Sequence, residues 1–129
     1  MVIDKRELKE LFQEIPLLNS LPEQSVQVAG IKIDSRTVKQ GDLYLAIKGT
    51  RVDGHEYIPD AISRGAAGLV GSDPARDYPI PYLLAGDTRE VLAQLAAAWF
   101  GFPARQLAVI GVTGTDGKTT TVNLIHRIL

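Results

Sequence analysis

The C-terminal stretch of the chain places the strongest constraint on its fold. Residues 107–129 read LAVIGVTGTDGKTTTVNLIHRIL, which is an apolar run, a glycine-rich loop ending in Gly-Lys-Thr, and a helical pattern. A strand, a glycine loop and a helix in this order can bind phosphate, because loop N–H groups and the helix N-terminus face the phosphate oxygens. The spacing G-x-x-G-x-x-G-K-T differs by one residue from the generic G-x-x-x-x-G-K-[ST] pattern. The sequence therefore predicts a nucleotide-phosphate site with a variant loop.

The residue types in this loop suit that chemistry. Gly114 and Gly117 allow positive φ angles and a close approach of the backbone to a ligand. Lys118 can reach the β- and γ-phosphates, and Thr119 can bind Mg²⁺ through its hydroxyl. Asp116 would repel phosphate if it faced the ligand, so we expect it to stabilise the turn. An ordinary glycine turn would explain the glycines alone, but not the Lys-Thr pair that follows them.

Apolar runs alternate with helical patterns along the rest of the chain. Strand patterns fall at residues 31–34, 43–47, 66–72, 82–86 and 107–112, and helical patterns fall at 5–14, 59–64 and 88–100. Thr88 is expected to cap the last of these helices and Gly101 to end it. Strands that are apolar throughout are typical of sheets covered on both faces. The pattern predicts an α/β fold, with a small, mostly parallel sheet and flanking helices.

Composition narrows the classes of function. The 129 residues include 14 basic and 15 acidic side chains, and the net charge of -1 gives no general attraction for nucleic acid. There is no cysteine, which excludes disulfides and thiolate metal sites. The N-terminus lacks the pattern of a secretory signal, and no apolar run is long enough to span a membrane. We therefore expect a cytoplasmic protein without nucleic-acid or membrane partners.

Two parts of the sequence carry a family resemblance. Residues 34–70 contain Asp-Ser-Arg, Gly-Asp-Leu-Tyr, Asp-Gly-His and Gly-Ala in an order that resembles the UDP-binding domain of the Mur ligases of the MurE type. Residues 111–121, GVTGTDGKTTT, closely resemble the ATP loop of the same family, with Asp116 where asparagine is the commoner residue. The resemblance extends from about Ile33 to the end of the chain.

The resemblance implies a function and its cofactors. Ligases of this type use ATP and Mg²⁺ to add an amino acid, meso-diaminopimelate or L-lysine, to UDP-N-acetylmuramoyl-L-alanyl-D-glutamate in peptidoglycan precursor synthesis. The reaction passes through an acyl phosphate of the D-glutamate carboxylate. The expected partner is therefore the UDP-N-acetylmuramoyl dipeptide substrate.

The resemblance also implies which residues bind and how the chain is divided. The UDP part of the substrate is expected to contact Ile33, Ser35, Thr50, Arg51 and Val52. ATP is expected to contact Gly114, Thr115, Asp116, Gly117, Lys118, Thr119 and Thr120, with Thr119 also binding Mg²⁺. Residues 1–102 would form the UDP-substrate-binding domain, and residues 103–129 would be the truncated start of a central ATPase domain. Such a fragment is expected to be inactive alone and open to self-association.

Other interpretations stay open from the sequence. The chain could be a non-catalytic UDP-ligand-binding module with a vestigial phosphate loop, or another ligase of the superfamily, such as the MurF type or a folylpolyglutamate synthase. From the residues alone, Asp34 and Ser35 are turn formers, while Arg36 or Arg51 could pair a diphosphate. His55 is expected to form hydrogen bonds within its loop rather than bind a metal.

The phosphate loop yields a first prediction. In the protein as its gene encodes it, Lys118→Ala should lower ligase activity by at least about tenfold, because charge-assisted bonds to phosphate are lost. Binding of the UDP substrate, measured by calorimetry, should be unaffected. Unchanged ATP turnover in this variant would remove the loop from the mechanism.

Overall fold

A parallel sheet forms the centre of the molecule. The computed structural model describes residues 4–74 and 76–108, together with Gly114 and Gly117. The strands are β1 (Arg6–Glu7), β2 (Gln27–Val28), β3 (Gly30–Lys32), β4 (Asp42–Leu45), β5 (Gly68–Gly71) and β6 (Tyr82–Leu84). The helices are α1 (Leu8–Leu11), α2 (Ile58–Ser63) and α3 (Thr88–Trp99). Strands β3 to β6 pair in sequence order, each parallel to the next, while β1 and β2 form a separate antiparallel pair. The prediction of an α/β fold with a small parallel sheet is confirmed.

Both faces of the sheet are buried, which explains the apolar runs in its strands. Side chains alternate across a strand, so Leu43 and Leu45 of β4 point to one face while Tyr44 and the following Ala46 point to the other. The first face packs against α1 and α3 in a cluster of Leu8, Leu11, Phe12, Ile15, Val28, Leu43, Leu45, Val70, Leu83, Ala85, Val91 and Leu95. The second packs against α2 in a cluster of Val38, Tyr44, Ala46, Ile58, Ala61, Ala66 and Leu69.

The N-terminal segment corrects the predicted helix at 5–14. Arg6 and Glu7 pair with β2, and the Leu8 N–H donates to the Val26 carbonyl at 2.9 Å, so only four residues remain helical. The helical spacing nevertheless identified the correct side chains, because all four apolar residues on which it rested are buried together: Leu8, Leu11, Phe12 and Ile15. The pattern gave the buried face correctly and the length of the helix wrongly.

The N-cap of helix α3 lies one residue before the predicted cap, and Thr88 is the first residue of the helix. Asp87, not Thr88, is the N-cap, and its carboxylate accepts hydrogen bonds from the Arg89 and Glu90 N–H groups at 2.8 and 3.4 Å. The carboxylate also suits the positive end of the helix dipole. Gly101 follows the helix with a φ of 72°, as a glycine at a helix end allows.

The connector after α3 forms a 3₁₀ turn at Pro103–Gln106. Arg105 pairs with Glu14 and lies 3.9 Å from the ring centroid of Phe102. The pairing lowers the pKa of Glu14 through the hydrogen bond from Arg105. The predicted strand at 107–112 and the helix after the loop lie mostly outside the described residues, and the division at residues 102 and 103 stays a prediction. No helix in the described ranges has the length and apolar character needed to cross a membrane.

Two tyrosines on the second face predict how stability depends on pH. The Tyr44 hydroxyl donates to the Gly54 carbonyl at 2.9 Å, and the Tyr82 hydroxyl donates to the Asp73 carbonyl at 2.6 Å. Burial raises the pKa of each phenol to about 12, from an ordinary value of 10.0. Below about pH 10 the phenols are protonated in both the folded and the unfolded protein. Their contribution to the free energy of unfolding is therefore independent of pH in that range.

Stability is therefore expected to fall as the pH rises from about 10 to 12, because the unfolded phenols ionise first. Tyr44→Phe should reduce this alkaline loss and lower the free energy of unfolding at neutral pH by about 1 kcal/mol, since one hydrogen bond is removed. Urea unfolding over a pH series measures both effects, with the exposed Tyr57→Phe as the control. An unchanged alkaline loss in Tyr44→Phe would show that this phenol is not its source.

Candidate functional site

A pocket of about 470 Å³ opens beyond the carboxyl ends of β3 and β4. It is lined by Ile33, Asp34, Ser35, Arg36, Tyr44, Ile47, Val52, Gly54 and Tyr57. Ligands of open α/β sheets bind at this edge. Three of the residues predicted to contact UDP, namely Ile33, Ser35 and Val52, line this pocket. Thr50 and Arg51 are exposed on the same loop as Val52, but they do not line the described pocket.

The first wall of the pocket is a 3₁₀ turn at Ser35–Thr37, directly after β3. Asp34 caps it by accepting a hydrogen bond from the Arg36 N–H at 3.0 Å. The Arg36 guanidinium reaches both carboxylate oxygens of Asp34, at 3.0 Å from Nε and 2.7 Å from Nη2. The guanidinium, and then the Arg36 N–H, lower the pKa of Asp34. The charge of Arg36 is thus largely paired within the wall, and Asp34 is the turn former that the sequence indicates.

Ser35 lines the pocket and is almost fully buried. The residue is 4% exposed, and its hydroxyl is the first cause that lowers the pKa of the Asp60 carboxyl on α2. Arg64, one helical turn beyond, holds the same carboxylate with its Nε 3.1 Å from each oxygen. The Ser35 hydroxyl oxygen has lone pairs that can accept a hydrogen bond from a ligand. Sequence reasoning missed Asp60, whose only sequence signal is its i,i+4 spacing to Arg64.

The second wall is the loop at residues 47–54. Lys48 and Asp53 form an antiparallel bridge, and the Gly54 N–H donates to the Ile47 carbonyl at 2.9 Å. A Cβ on Gly54 would lie 2.7 Å from the Ile47 nitrogen, so this approach requires glycine. The Tyr44 hydroxyl holds the Gly54 carbonyl from beneath. The loop is therefore a closed hairpin that carries Val52 to the pocket.

Large apolar side chains stand exposed around the pocket. Ile33 and Val52 are each 54% exposed, and Tyr57 is 44% exposed. Apolar groups left in water at a concave site are typical of ligand-binding surfaces. They lie on three different segments, namely the end of β3, the hairpin loop and the 3₁₀ turn Gly54–Tyr57. The pocket can thus hold a flat apolar group beside polar ones.

Behind the hairpin loop, the His55 ring is hydrogen-bonded through both nitrogens. Nδ1 lies 2.6 Å from an Asp53 carboxylate oxygen, while Nε2 accepts from the Ser72 and Asp73 N–H groups at 3.0 and 3.3 Å. Hydrogen bonds from the His55 N–H and then from its ring lower the pKa of Asp53. Lys48 Nζ lies 3.9 Å from Asp53 and 3.6 Å from Asp73.

This cluster resembles a metal site only in its spacing. Ligand atoms of Asp53, His55 and Asp73 lie within 4.8 Å of one another. The ring nitrogens, however, already have protein partners, and the ammonium of Lys48 supplies the positive charge between the carboxylates. The geometry fits a hydrogen-bonding histidine, as the sequence predicts.

The described part of the phosphate loop consists of its two glycines. Gly114 has a φ of 141° and Gly117 a φ of 75°, so both adopt the positive angles predicted for them. A Cβ at Gly117 would meet no described atom within 4 Å, so its need for glycine is conformational. Thr115, Asp116, Lys118, Thr119 and Thr120 lie outside the described residues. The two glycines fit a loop that wraps phosphate, and the assignments of the other residues stay predictions.

The fold is an α/β domain with a pocket at the carboxyl edge of its parallel sheet. The family model described as "Mur ligase family, catalytic domain" matches residues 27–100, which is more than half of the chain. The chain belongs to the Mur ligase family.

Relatives with curated names give the comparison more detail. The chain is 45% identical over 119 residues to the UDP-N-acetylmuramyl-tripeptide synthetase of a Roseiflexus species, covering 91% of this chain and 23% of that protein. It is 48% identical over 112 residues to the UDP-N-acetylmuramoyl-L-alanyl-D-glutamate–2,6-diaminopimelate ligase of Gloeobacter violaceus, covering 85% of this chain and 22% of that protein. The chain thus spans less than a quarter of the length of these two relatives.

Solved structures agree on the fold. The UDP-N-acetylmuramoylalanyl-D-glutamyl-2,6-diaminopimelate–D-alanyl-D-alanyl ligase of Acinetobacter baumannii superposes with a TM-score of 0.66 at 32% identity, covering 94% of this chain and 27% of that one. The MurF ligase of Thermotoga maritima, solved with ADP, superposes with a TM-score of 0.52 at 33% identity, covering 70% and 21%. The similarity to the family therefore extends to its three-dimensional structure.

The close approach at Gly54 gives a prediction for the hairpin wall. Gly54→Ala should lower the free energy of unfolding by about 1–3 kcal/mol, because the new methyl group meets backbone atoms that cannot move aside. Gly86→Ala is the matched control: a Cβ there meets no described atom within 4 Å, so its effect should stay within about 0.5 kcal/mol. Urea unfolding of both variants tests this, and equal stabilities would contradict the packing seen at Gly54.

Proposed function

We propose that this chain provides the UDP-substrate pocket and the ATP loop of a ligase that joins an amino acid to UDP-N-acetylmuramoyl-L-alanyl-D-glutamate. One observation carries the proposal. Ile33, Ser35 and Val52, which the family resemblance assigns to UDP, line one pocket at the ligand-binding edge of the sheet. The similarity to two curated ligases of UDP-N-acetylmuramyl peptides, at 45% and 48% identity, supports the same substrate class.

The chemistry of the pocket suits a uridine nucleotide. Ile33, Val52 and Tyr57 offer apolar surface to a planar base, and the Ser35 hydroxyl can accept a hydrogen bond from it. Arg51 on the hairpin and Arg89, whose Nη2 lies 3.4 Å from the Lys48 carbonyl, bring two cations beside the loop. Guanidinium groups pair well with diphosphate oxygens. The pocket volume of about 470 Å³ lies in the range of small-molecule sites.

The sequence relatives favour the MurE type over the MurF type. The relatives at 45% and 48% identity carry tripeptide-forming names, whereas the structural neighbours at 32% and 33% are D-alanyl-D-alanyl or MurF ligases. The names of the Gloeobacter violaceus and Aquifex aeolicus relatives favour diaminopimelate over lysine as the added amino acid. The product of the proposed reaction is the UDP-linked tripeptide used in peptidoglycan synthesis.

ATP is the proposed second ligand, with Mg²⁺ bound by Thr119. When bound, ATP supplies the phosphoryl group that activates the substrate carboxylate for attack by the incoming amine. Residues 114–120 would hold its phosphates, Lys118 pairing them directly. The positive φ angles of Gly114 and Gly117 support this role, because phosphate-binding loops commonly place glycines in such conformations.

The proposal predicts that the protein binds UDP through the hairpin loop. Val52→Asp should lower the affinity for UDP by at least about tenfold, because a carboxylate replaces apolar surface and repels the diphosphate. The fold should be unaffected, since the side chain is already in water. Calorimetry with UDP measures the change, in the protein as its gene encodes it.

Leu18→Asp is the control, because Leu18 is similarly exposed and does not line the pocket. UDP affinity unchanged in Val52→Asp would place the nucleotide elsewhere. A wild-type protein that binds UDP but neither binds ATP nor forms the tripeptide would instead be a UDP-binding module with a vestigial loop.

A further inference from the structure

His55 stands outside the pocket and has no part in the proposed binding of UDP. Its side chain is mostly buried between the 3₁₀ turn Gly54–Tyr57 and the end of β5. A Cβ on Gly71 would lie 2.8 Å from Nε2, so the ring packs directly against the strand backbone. The two ring nitrogens are hydrogen-bonded to different segments of the chain, so the ring connects Asp53 to Ser72 and Asp73.

The partners of the ring fix its protonation state. Backbone N–H groups only donate, so the Ser72 and Asp73 amides require Nε2 to be an acceptor without a proton. Nδ1 must then carry the ring proton, which it donates to the Asp53 carboxylate at 2.6 Å. The geometry therefore selects the neutral ring in a single tautomer.

The two segments joined by the ring belong to different parts of the fold, namely the central sheet and the hairpin loop. Ser72 and Asp73 follow β5, which is paired on both sides in the sheet. Asp53 closes the hairpin loop that carries Val52, and it caps the 3₁₀ turn by accepting from the His55 N–H at 2.9 Å. The ring thus connects the hairpin wall of the pocket to the central sheet.

We propose that His55 is a positioning residue for the pocket: its neutral ring, protonated on Nδ1, holds the hairpin loop at residues 47–54 against the end of β5 and so sets the position of Val52. The inference rests on the proposed function insofar as UDP is the ligand whose affinity reports that position. Its structural part, the tautomer and the two backbone bonds, can be measured without any ligand.

Acid should release this tie. Protonation of Nε2 puts a donor opposite two N–H donors, so the bonds to Ser72 and Asp73 are lost. The charged groups around the ring act in both directions: Asp53 and Asp73 favour the cation, whereas Lys48 opposes it. Other titratable groups beside this cluster are Glu56, Arg76, Tyr78 and Tyr82. Whichever of these effects dominates, the affinity for UDP should fall as the ring takes up a proton.

Two substitutions separate the functions of the two ring nitrogens. His55→Asn keeps an amide donor near the place of Nδ1 and loses the acceptor at Nε2, whereas His55→Gln places an amide oxygen near Nε2. We expect His55→Asn to lower the affinity for UDP about three- to tenfold, which is the range for one lost hydrogen bond. His55→Gln should retain most of the affinity. Glu56→Gln, in the same turn, is the matched control and should bind like the wild type.

The pH profile distinguishes positioning from a general loss of stability. Over a range of decreasing pH, wild-type affinity for UDP should decline as the ring takes up a proton, because Nε2 then loses its role as acceptor, and His55→Gln should remove most of this decline. Thermal unfolding of each variant at both ends of the range shows that it is folded when binding is measured. Nitrogen-15 spectra of the wild type give the tautomer, with the His55 signals assigned by their loss in His55→Asn.

Each outcome decides the inference. A proton on Nδ1, weakened binding in His55→Asn and a flat profile in His55→Gln support it. If the wild type binds UDP, a proton on Nε2 or unchanged binding in His55→Asn would overturn the inference while leaving the proposed function intact. A wild-type protein that fails to bind UDP would instead overturn the proposed function, and the link between His55 and UDP affinity with it.

Discussion

Strand β4 is the element on which both the core and the pocket depend. Its side chains alternate between two buried clusters, so Leu43 and Leu45 hold one layer of helices to the sheet while Tyr44 and Ala46 hold the other. Burying such side chains contributes about 1.5–3 kcal/mol each, and here the contributions come from both faces of one short strand. The strand also ends at the pocket, where the chain turns into the hairpin loop. The edge that carries the pocket is therefore built on a strand that is paired on both sides and buried on both faces.

The pocket itself is assembled from short polar bonds rather than from packing. The wall after β3 is closed by Asp34 and Arg36, and the wall after β4 by Gly54 and its contacts. Both walls are short loops on rigid strands, which is how α/β folds commonly position ligand-binding groups. The exposed apolar side chains that they present gain little stability for the free protein. The proposed UDP ligand would cover them.

The sequence predicted the sheet well because a strand that is buried on both faces has a continuous run of apolar residues. The runs at 66–72 and 82–86 each contain an observed strand, and the run at 43–47 covers all of β4 except Asp42. It missed β1 and β2, since strands of two residues carry no alternation. It also extended the first helix, because helical spacing records which side chains face the core and not where backbone pairing interrupts the helix. Thr88 was taken for a cap in place of Asp87 because both residue types cap helices.

The pocket was predictable in part. The family resemblance pointed to Ile33, Ser35 and Val52, which the fold brings together from two separate loops. Tyr44 reads in the sequence as an ordinary core residue, and Asp60 as half of a surface ion pair. Their contacts with the pocket walls depend on tertiary structure, which local patterns do not encode.

The dual position of Tyr44 has a consequence for how the protein can vary. Its ring is part of the hydrophobic core and its hydroxyl supports the wall of the pocket through Gly54. We therefore expect a substitution that repacks the second face of the sheet to shift the hairpin as well, because Tyr44 contacts both. Tyr44 serves both the packing of the core and the position of the pocket wall, so a change in one is expected to require a compensating change in the other.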